Sequence, residues 1–304
     1  VTTPMDPSAP GQKGRRERHW SYVTPLLVAA AAAALRLWGI RWGLPDETHL
    51  FSYHPDEFHS LRGALSLAAG DPNPHFFNYG SLYLYLVAIA CLWHESVSGS
   101  GDLLAAILRA DEAHREMAAW VLDARLVTVL CAVATIVVVF ATARRLYGLK
   151  GGLLAGALIA LAPLHVLHSH YATVDVPLAL FVSLCVYVSL PLVERVTWRS
   201  CLAAGACAGL AASVKYNGAL VLVVPIVACL VGWMARRQPE GEGTEGPPQG
   251  LGPSLALPAG LVVLTGACAV AFFITSPYVL LAWPEAWRDI SYEIGHMRVG
   301  EPPA

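Results

Sequence analysis

The sequence predicts an all-α polytopic membrane protein. Hydrophobic residues make up 56% of the 304 positions and charged residues only 14%, whereas a soluble domain carries about 25% charged residues. Uncharged apolar runs recur along the chain, and several approach the roughly 17–25 residues that a helix needs to cross a bilayer. They predict seven spans, at 20–35, 126–143, 151–164, 176–193, 200–214, 216–235 and 254–276.

The first span reaches this length only if Arg36 extends to the far interface and keeps its guanidinium group in water. The basic stretch before it predicts a retained anchor, because no small-residue cleavage site of a signal peptide follows the apolar run. Residues 1–19, rich in Pro, Gly, Ser and Arg, predict a disordered cytoplasmic arm, and 240–253 predicts a flexible inner loop.

An eighth apolar run, Leu82–Trp93, is short enough to be interfacial or re-entrant. The distribution of charge supports its exclusion, since cytoplasmic loops close to spans are enriched in Lys and Arg. With seven spans every inner loop is basic, whereas an eighth would move Arg144, Arg145 and Lys150 to the outer side. The seven-span topology is therefore preferred.

This topology leaves residues 44–120 as one long outer loop, too large for a simple connector. Within it, 55–69 predicts a surface helix with Pro55 at its first position, and the aromatic segment 80–94 predicts a second juxtamembrane helix. The two lie inside a membrane module of residues 20–283. Residues 284–304 predict an outer amphipathic helix and tail, whose apolar face carries Trp287, Ile290, Ile294 and Met297.

The first candidate site is the segment from His54 to His59, which includes Asp56 and Glu57. Consecutive residues on a helix point about 100° apart, so only one of the two carboxylates leads. We favour Asp56, since Glu57 lies on the side of Leu61 and can instead hold a backbone amide. Two alternatives remain: both acids complement the helix N-terminus, or His54, Asp56 and His59 hold a divalent metal, although their spacing matches no standard zinc site.

A second polar group follows the third predicted span and contains His165, His168, Ser169, His170 and Asp175. Ionisable residues near membrane depth indicate function, although Asp175 can also cap the next helix. On the same outer side, Lys215 and Arg125 are candidates to bind a phosphate. Lys215 otherwise only marks a helix end, and Arg125 otherwise pairs with Asp123 or a lipid phosphate. Seven cysteines without CxxC spacing indicate no disulfide framework and no zinc site.

Several of these motifs occur in an order that resembles a known group. They are His54–Glu57, Asn73–Tyr79, Ala124–Leu126, Ala143–Gly148, Ser169–Pro177, Ser213–Tyr216 and Ser276–Tyr278. From about Leu35 to His296 the chain resembles the GT-C superfamily of membrane glycosyltransferases, within it the polyprenyl-phosphate-sugar-dependent family that includes the protein O-mannosyltransferases. The resemblance implies a GT-C-like module of seven transmembrane helices, and it implies that the chain is truncated after the seventh span.

The resemblance also implies roles for residues. Asp56 matches the catalytic base and Asp175 a second functional acid. Glu57 is the second candidate catalytic residue, and Lys215 and Arg125 are candidates to lie near the carrier phosphate. The remaining candidates for substrate binding are His59, His75, Tyr79, His170 and Tyr278. Two departures concern contacts with substrate: His170 stands where protein mannosyltransferases often have Arg, and Phe77–Gly80 stands where related enzymes have Pro-Pro-Leu and sometimes Lys.

The sequence therefore predicts a multi-pass enzyme of the cell membrane, with its active site on the extracytoplasmic face. The donor is a polyprenyl-phosphate sugar in the lipid bilayer, and the acceptor is a protein, lipid or glycan, as in protein glycosylation. Transfer inverts the anomeric carbon with Asp56 as general base. No nucleic acid is involved, no cofactor is definite, and a divalent cation stays open. A transporter or flippase and an inactive membrane scaffold are the alternative functions.

Overall fold

The computed structural model describes residues 10–49, 51–98, 113–235 and 255–299, and in these ranges it contains helices and no strands. The predicted inner loop 240–253 lies outside the described residues. The helices are α1 (Pro10–Leu37), α2 (Pro55–Ala68), α3 (Leu82–Ser98), α4 (Ala113–Leu161), α5 (Pro163–His168), α6 (Asp175–Glu194), α7 (Trp198–Val214), a 3-10 turn (Tyr216–Leu222) running into α8 (Val223–Ala235), α9 (Leu257–Thr275), α10 (Tyr278–Leu281) and α11 (Trp283–Val299).

Four helical segments in the described ranges are long and apolar enough to cross a membrane: Arg115–Leu161, Asp175–Glu194, Tyr216–Ala235 and Leu257–Thr275. Val23–Leu37 and Leu82–Val97 are shorter apolar helices. The all-helical, multi-pass class is therefore confirmed. The number of seven spans stays a prediction. The first predicted span lies on the short apolar stretch Val23–Leu37, the fifth lies on the 17-residue helix α7, and the second and third share the single segment Arg115–Leu161.

The longest helix, α4, consists of two rods that meet at Gly148. Its backbone there has φ 73° and ψ −172°, a conformation that residues with a side chain rarely adopt. The break lies beside Arg144, Arg145 and Lys150, between the second and third predicted spans. Residues 113–147 and 149–161 are thus separate rods.

Arg36 does not extend into water as the sequence analysis expects. Its side chain is 0% exposed and donates to Ser169 Oγ at 3.2 Å and to His165 Nδ1 at 2.7 Å. It also donates to the carbonyl oxygens of Ala32 and Ala160. The expectation is wrong because acceptors at the turn after α4 replace water around the guanidinium group, which fastens the end of α1 to that turn.

Helix α1 begins at Pro10 and so extends into the segment predicted as a disordered arm, while residues 1–9 lie outside the described residues. Helices α2 and α3 follow it at positions close to the predicted surface helices. A buried cluster that includes Leu61, Tyr83 and Trp120 packs α2 and α3 against the first turns of α4. This packing brings the N-terminal end of α2 to the beginning of the membrane-crossing part of α4.

Helices α7 and α9 approach each other closely through Gly205 and Gly209 of α7. A Cβ atom on Gly205 would lie 2.1 Å from Leu264 O, and one on Gly209 would lie 2.2 Å from Cys268 O. Small residues four positions apart allow such backbone contact between membrane helices. The contact fixes α7, whose C-terminal cap is Lys215.

Candidate active site

The start of α2 sends its two adjacent carboxylates into different environments. Pro55 occupies the first helical turn, and the His54 side chain caps the helix by accepting a hydrogen bond from Asp56 N at 3.3 Å. Glu57 is 0% exposed, whereas Asp56 is half-buried. The angular separation of consecutive helical residues therefore turns Glu57 into the protein and leaves Asp56 at the surface.

Glu57 forms a buried, two-pronged ion pair with Arg125. Arg125 Nε donates to Glu57 Oε1 at 2.7 Å and Nη2 donates to Oε2 at 2.8 Å. Arg125 Nη1 also donates to the carbonyls of Ile40 and Trp42, each at 2.7 Å, and Ala172 N donates to Glu57 Oε1 at 2.7 Å. The pair thus ties α2 to α4, to the chain after α1 and to the segment before α6.

The guanidinium group of Arg125 has five N–H donors, and four of them have an acceptor in this network. The Arg125 side chain is 1% exposed. Arg125 therefore does not present its charge to an open surface. Glu57 likewise accepts at both carboxylate oxygens. The polar atoms of both side chains are therefore bonded to protein groups next to Asp56.

Tyr79 lies near the carboxylates of Asp56, Asp175 and Glu293 and near the ammonium group of Lys215. Lys215 Nζ lies 3.0 Å from Asp175 Oδ1 and 5.7 Å from the centroid of the Tyr79 ring. Burial, followed by the charges of Asp56, Glu293 and Asp175, raises the pKa of Tyr79 to about 12. The fold thus gathers Asp56, Asp175 and Lys215 around Tyr79, although they lie on α2, α6 and the end of α7.

The loop that carries Tyr79 docks against the end of α7. Ser81 N donates to Ser276 Oγ at 3.0 Å, and Ser276 Oγ is 2.6 Å from Ser213 Oγ. A Cβ atom on Gly80 would lie 2.1 Å from Ser213 O, so only glycine permits this approach. Tyr79 is held beside Lys215 as a result.

Three acids of α11 hold the same loop from the other side. Glu285 accepts from Asn73 Nδ2 at 3.1 Å, Asp289 from Phe77 N at 3.2 Å, and Glu293 from Asn78 Nδ2 at 3.1 Å. Acids spaced four residues apart share one helix face. Only the apolar face of this helix was predicted from the sequence; the signal for the acidic face was the four-residue spacing of Glu285, Asp289 and Glu293.

This arrangement lies at the ends of membrane helices and combines a half-buried carboxylate with an acid–lysine pair. Residues 119–239 match the model of the dolichyl-phosphate-mannose-protein mannosyltransferase family. The match confirms the resemblance over this segment, which contains Arg125, Asp175 and Lys215. A comparison with curated proteins found no match. The similarity to this mannosyltransferase family implies a membrane glycosyltransferase that uses a lipid-linked sugar donor.

His75 lies on the loop that carries Tyr79, between two carboxylates. Its Nδ1 is 2.8 Å from Glu285 Oε1 and its Nε2 is 2.9 Å from Asp71 Oδ2. Hydrogen bonds to Glu285 and then Asp71 raise the pKa of His75. The backbone of His75 has φ 48°, in the left-handed region that costs energy for a residue with a side chain. His75 thus joins the loop to α11, and protonation of its ring strengthens this contact.

The contact predicts a pH dependence of the loop. The folded pKa of His75 lies above its ordinary value of 6.5, so its stabilising effect is full below that value and disappears as the pH rises through the raised pKa. Half of the side chain is exposed, so the effect on overall stability is small. The protection of the amides of 73–79, which is the slowing of their exchange relative to that of an unfolded chain at the same pH, should therefore fall at alkaline pH in the wild type.

The His75→Gln variant should show low amide protection of this loop at every pH, and Glu47→Gln, on an exposed loop, should behave like the wild type. Equal pH dependence in His75→Gln and wild type would contradict the assignment.

The remaining predicted substrate residues lie around this centre. His59 stacks on Phe76 with ring centroids 5.9 Å apart. His170, which stands where the mannosyltransferases often have Arg, faces two carbonyl oxygens, with Nδ1 2.8 Å from Val166 O and Nε2 2.9 Å from Trp38 O. Tyr278 packs beside the buried cluster of Phe77, Val279 and Ala286. His170 and Tyr278 therefore contact protein groups, and His59 adjoins the loop.

A metal site formed by His54, Asp56 and His59 is not found. Within the described ranges, no three side chains of His, Cys, Asp or Glu are arranged to hold a metal ion. His54 Nδ1 accepts the helix-capping hydrogen bond from Asp56 N instead. The histidines of this segment thus have contacts that involve no ion.

Proposed function

We propose that this protein transfers a sugar from a polyprenyl-phosphate carrier to an acceptor hydroxyl at the extracytoplasmic face, with inversion of the anomeric carbon. The observation that carries the proposal is the meeting of Asp56, Asp175 and Lys215 around Tyr79. A base and a phosphate-binding cation then lie at the ends of membrane helices, where a lipid phosphate and a water-soluble acceptor can both arrive. The match to the mannosyltransferase family favours a mannosyl donor.

In this reaction Asp56 acts as the general base. Its carboxylate takes the proton of the acceptor hydroxyl while the acceptor oxygen forms a bond to the anomeric carbon. The bond from that carbon to the phosphate oxygen breaks in the same step. A single displacement of this kind inverts the anomeric configuration, and the carrier leaves as polyprenyl phosphate.

Lys215 stabilises the phosphate as negative charge develops on it. In the resting structure its ammonium group pairs with Asp175, with side chains 30% and 45% exposed respectively. Both groups are therefore accessible from the surface. Asp175 holds the lysine in place before the donor binds, and Tyr79 covers the ammonium group from the side of its ring.

Glu57 and Arg125 serve as positioning residues. Their ion pair contacts no open surface, and Glu57 directly follows Asp56 in α2. Any displacement of Glu57 would rotate or shift the first turn of the helix. Because general-base catalysis depends on hydrogen-bonding distance to the acceptor, this pair sets the reach of the Asp56 carboxylate.

The extracytoplasmic location is supported by the charges on α4. Arg144 lies nineteen residues after Arg125 on the first rod of this helix, a rise of roughly 28 Å at 1.5 Å per residue. This distance matches the hydrocarbon thickness of a bilayer, about 30 Å. The basic cluster Arg144, Arg145 and Lys150 therefore belongs to the opposite interface, which the positive-inside rule assigns to the cytoplasm.

The proposal is tested by reconstituting the chain in vesicles with a radiolabelled polyprenyl-phosphate mannose and hydroxyl-bearing peptide, lipid and glycan acceptors. We expect transfer to one acceptor class and a product whose anomeric configuration is opposite to that of the donor. Absence of transfer to all three classes, or retention of configuration, would overturn it.

A Lys215→Gln variant should bind the donor more weakly. Hydrogen bonds to charged groups contribute about 1.5–3 kcal/mol, so KM for the donor should rise roughly tenfold to a hundredfold. The measurement is the dependence of transfer on donor concentration. Lys150→Gln, at the opposite end of the membrane module, is the matched control, and an unchanged KM in Lys215→Gln would remove Lys215 from the phosphate site.

A further inference from the structure

The motif Ala143–Gly148 takes no part in the proposed reaction, yet it borders an open cavity of about 580 Å³. The cavity lies between α1, α4 and α6. Pro25, Val137, Phe140 and Ala141 form an apolar wall, while Arg144, Arg145 and Tyr187 supply polar groups. Its size falls within the range of small-molecule sites, about 300–1,000 Å³.

The apolar groups and the two arginines follow one another along the axis of the first rod of α4. Val137, Phe140 and Ala141 precede the arginines on the same rod, so they lie deeper in the hydrocarbon region. The arginines lie at its end, just before the break at Gly148. A ligand that fills this cavity therefore needs an apolar part towards the bilayer centre and an anionic part at the interface.

The charge at this end favours a phosphate. Arg145 Nη2 is 4.0 Å from Glu194 Oε1, and these side chains are 40% and 59% exposed. Such an exposed, long contact holds a charge weakly. Guanidinium groups bind phosphate with two parallel hydrogen bonds, and the Tyr187 hydroxyl group can donate a further one.

We propose that this cavity binds an anionic phospholipid of the inner leaflet. Its phosphate contacts Arg144 and Arg145, and the part of its acyl chain nearest the headgroup packs against Phe140 and Ala141. The site is separated from Asp56 by the thickness of the membrane and is independent of the transfer reaction. An anionic lipid seated here would hold α1, α4 and α6 together at their inner ends.

The test uses the full chain in nanodiscs that contain equal amounts of phosphatidylglycerol and phosphatidylcholine. Native mass spectrometry then measures which lipid stays bound after transfer to detergent. We expect phosphatidylglycerol to be retained over phosphatidylcholine roughly tenfold, from the attraction of two basic residues to an anionic headgroup. The double variant Arg144→Gln/Arg145→Gln should lose this preference, whereas Lys150→Gln, at the same interface outside the cavity, should keep it.

A second variant distinguishes binding inside the cavity from general attraction of the lipid to surface charge. Ala141→Trp fills the cavity and leaves both arginines, so it should also abolish retention, with thermal melting used to confirm that each variant is folded. Retention of phosphatidylglycerol by Ala141→Trp or by the double arginine variant would overturn the proposal. Displacement of phosphatidylglycerol by an equal amount of polyprenyl phosphate would assign the cavity to the carrier lipid and likewise overturn it.

Discussion

Replacing Asp56 by Asn is expected to lower the rate of sugar transfer by about 10²–10⁴-fold, the range contributed by a general base. The amide has the size of the carboxylate but cannot take the acceptor proton. Asp56 N, which caps α2 through His54, is unchanged by the substitution. The measurement is kcat with radiolabelled donor in reconstituted vesicles, together with the binding of polyprenyl phosphate, which should change little.

The matched control for this experiment is Glu47→Gln, which makes the same chemical change at an exposed carboxylate between α1 and α2. It should transfer sugar at the wild-type rate. If the Asp56→Asn variant keeps more than about a tenth of the wild-type kcat, this result would contradict the role of Asp56 as the general base. A loss of carrier binding with unchanged kcat would instead make Asp56 a binding residue.

The second large effect is expected at Arg125. Arg125→Met leaves the Glu57 carboxylate buried without its cation, which costs about 3–5 kcal/mol in comparable buried pairs. It also removes the donors to the carbonyls of Ile40 and Trp42. The melting temperature of the purified protein in detergent should fall clearly, and transfer should fall by more than the loss of folded protein, since Asp56 loses its support.

The double variant Glu57→Leu/Arg125→Met removes both charges and should recover much of the lost stability. Recovery of melting temperature without recovery of kcat would show that the pair positions Asp56 as well as stabilising the fold. Arg288→Met is the control: its side chain is 70% exposed and pairs with the adjacent Asp289, so it should melt close to the wild type. Equal melting of Arg125→Met and Arg288→Met would contradict the assignment.

Helix geometry predicts both that Asp56 and Glu57 diverge and that Glu57 lies on the side of Leu61, since consecutive helical residues point about 100° apart. Glu57 is buried and accepts from the backbone amide of Ala172. Its cationic partner could not be predicted, because Arg125 lies 68 positions further along the chain. The match between the donors of Arg125 and the Glu57 carboxylate becomes visible only in the packed structure.

Arg36 shows the same limit more plainly. Snorkelling to water is the ordinary solution for a single arginine at the end of a membrane helix. The structure provides another, since Ser169 and His165, more than a hundred positions away, replace the water. Burial of a charge depends on the partners that the fold supplies, and a local sequence window contains none of them.

The acids of α11 were missed for a related reason. The apolar residues of this helix predict an amphipathic surface helix and nothing more. Glu285, Asp289 and Glu293 make hydrogen bonds to a loop about 210 positions earlier in the chain. Their four-residue spacing was visible, but exposed acids on a surface helix are ordinary. Only the packed structure shows that these acids contact the loop instead of facing solvent.

The sequence by itself determined the all-helical membrane class, the helical segments and the residue types available for chemistry, because hydrophobicity and periodicity are properties of neighbouring residues. The distribution of Lys and Arg adds a prediction of which helix ends face the cytoplasm. The tertiary structure alone decided which charges are buried and paired, as for Glu57, Arg125 and Arg36, and which meet around Tyr79. Ion pairs and hydrogen bonds act over a few ångströms, so their partners are chosen by packing rather than by position in the chain.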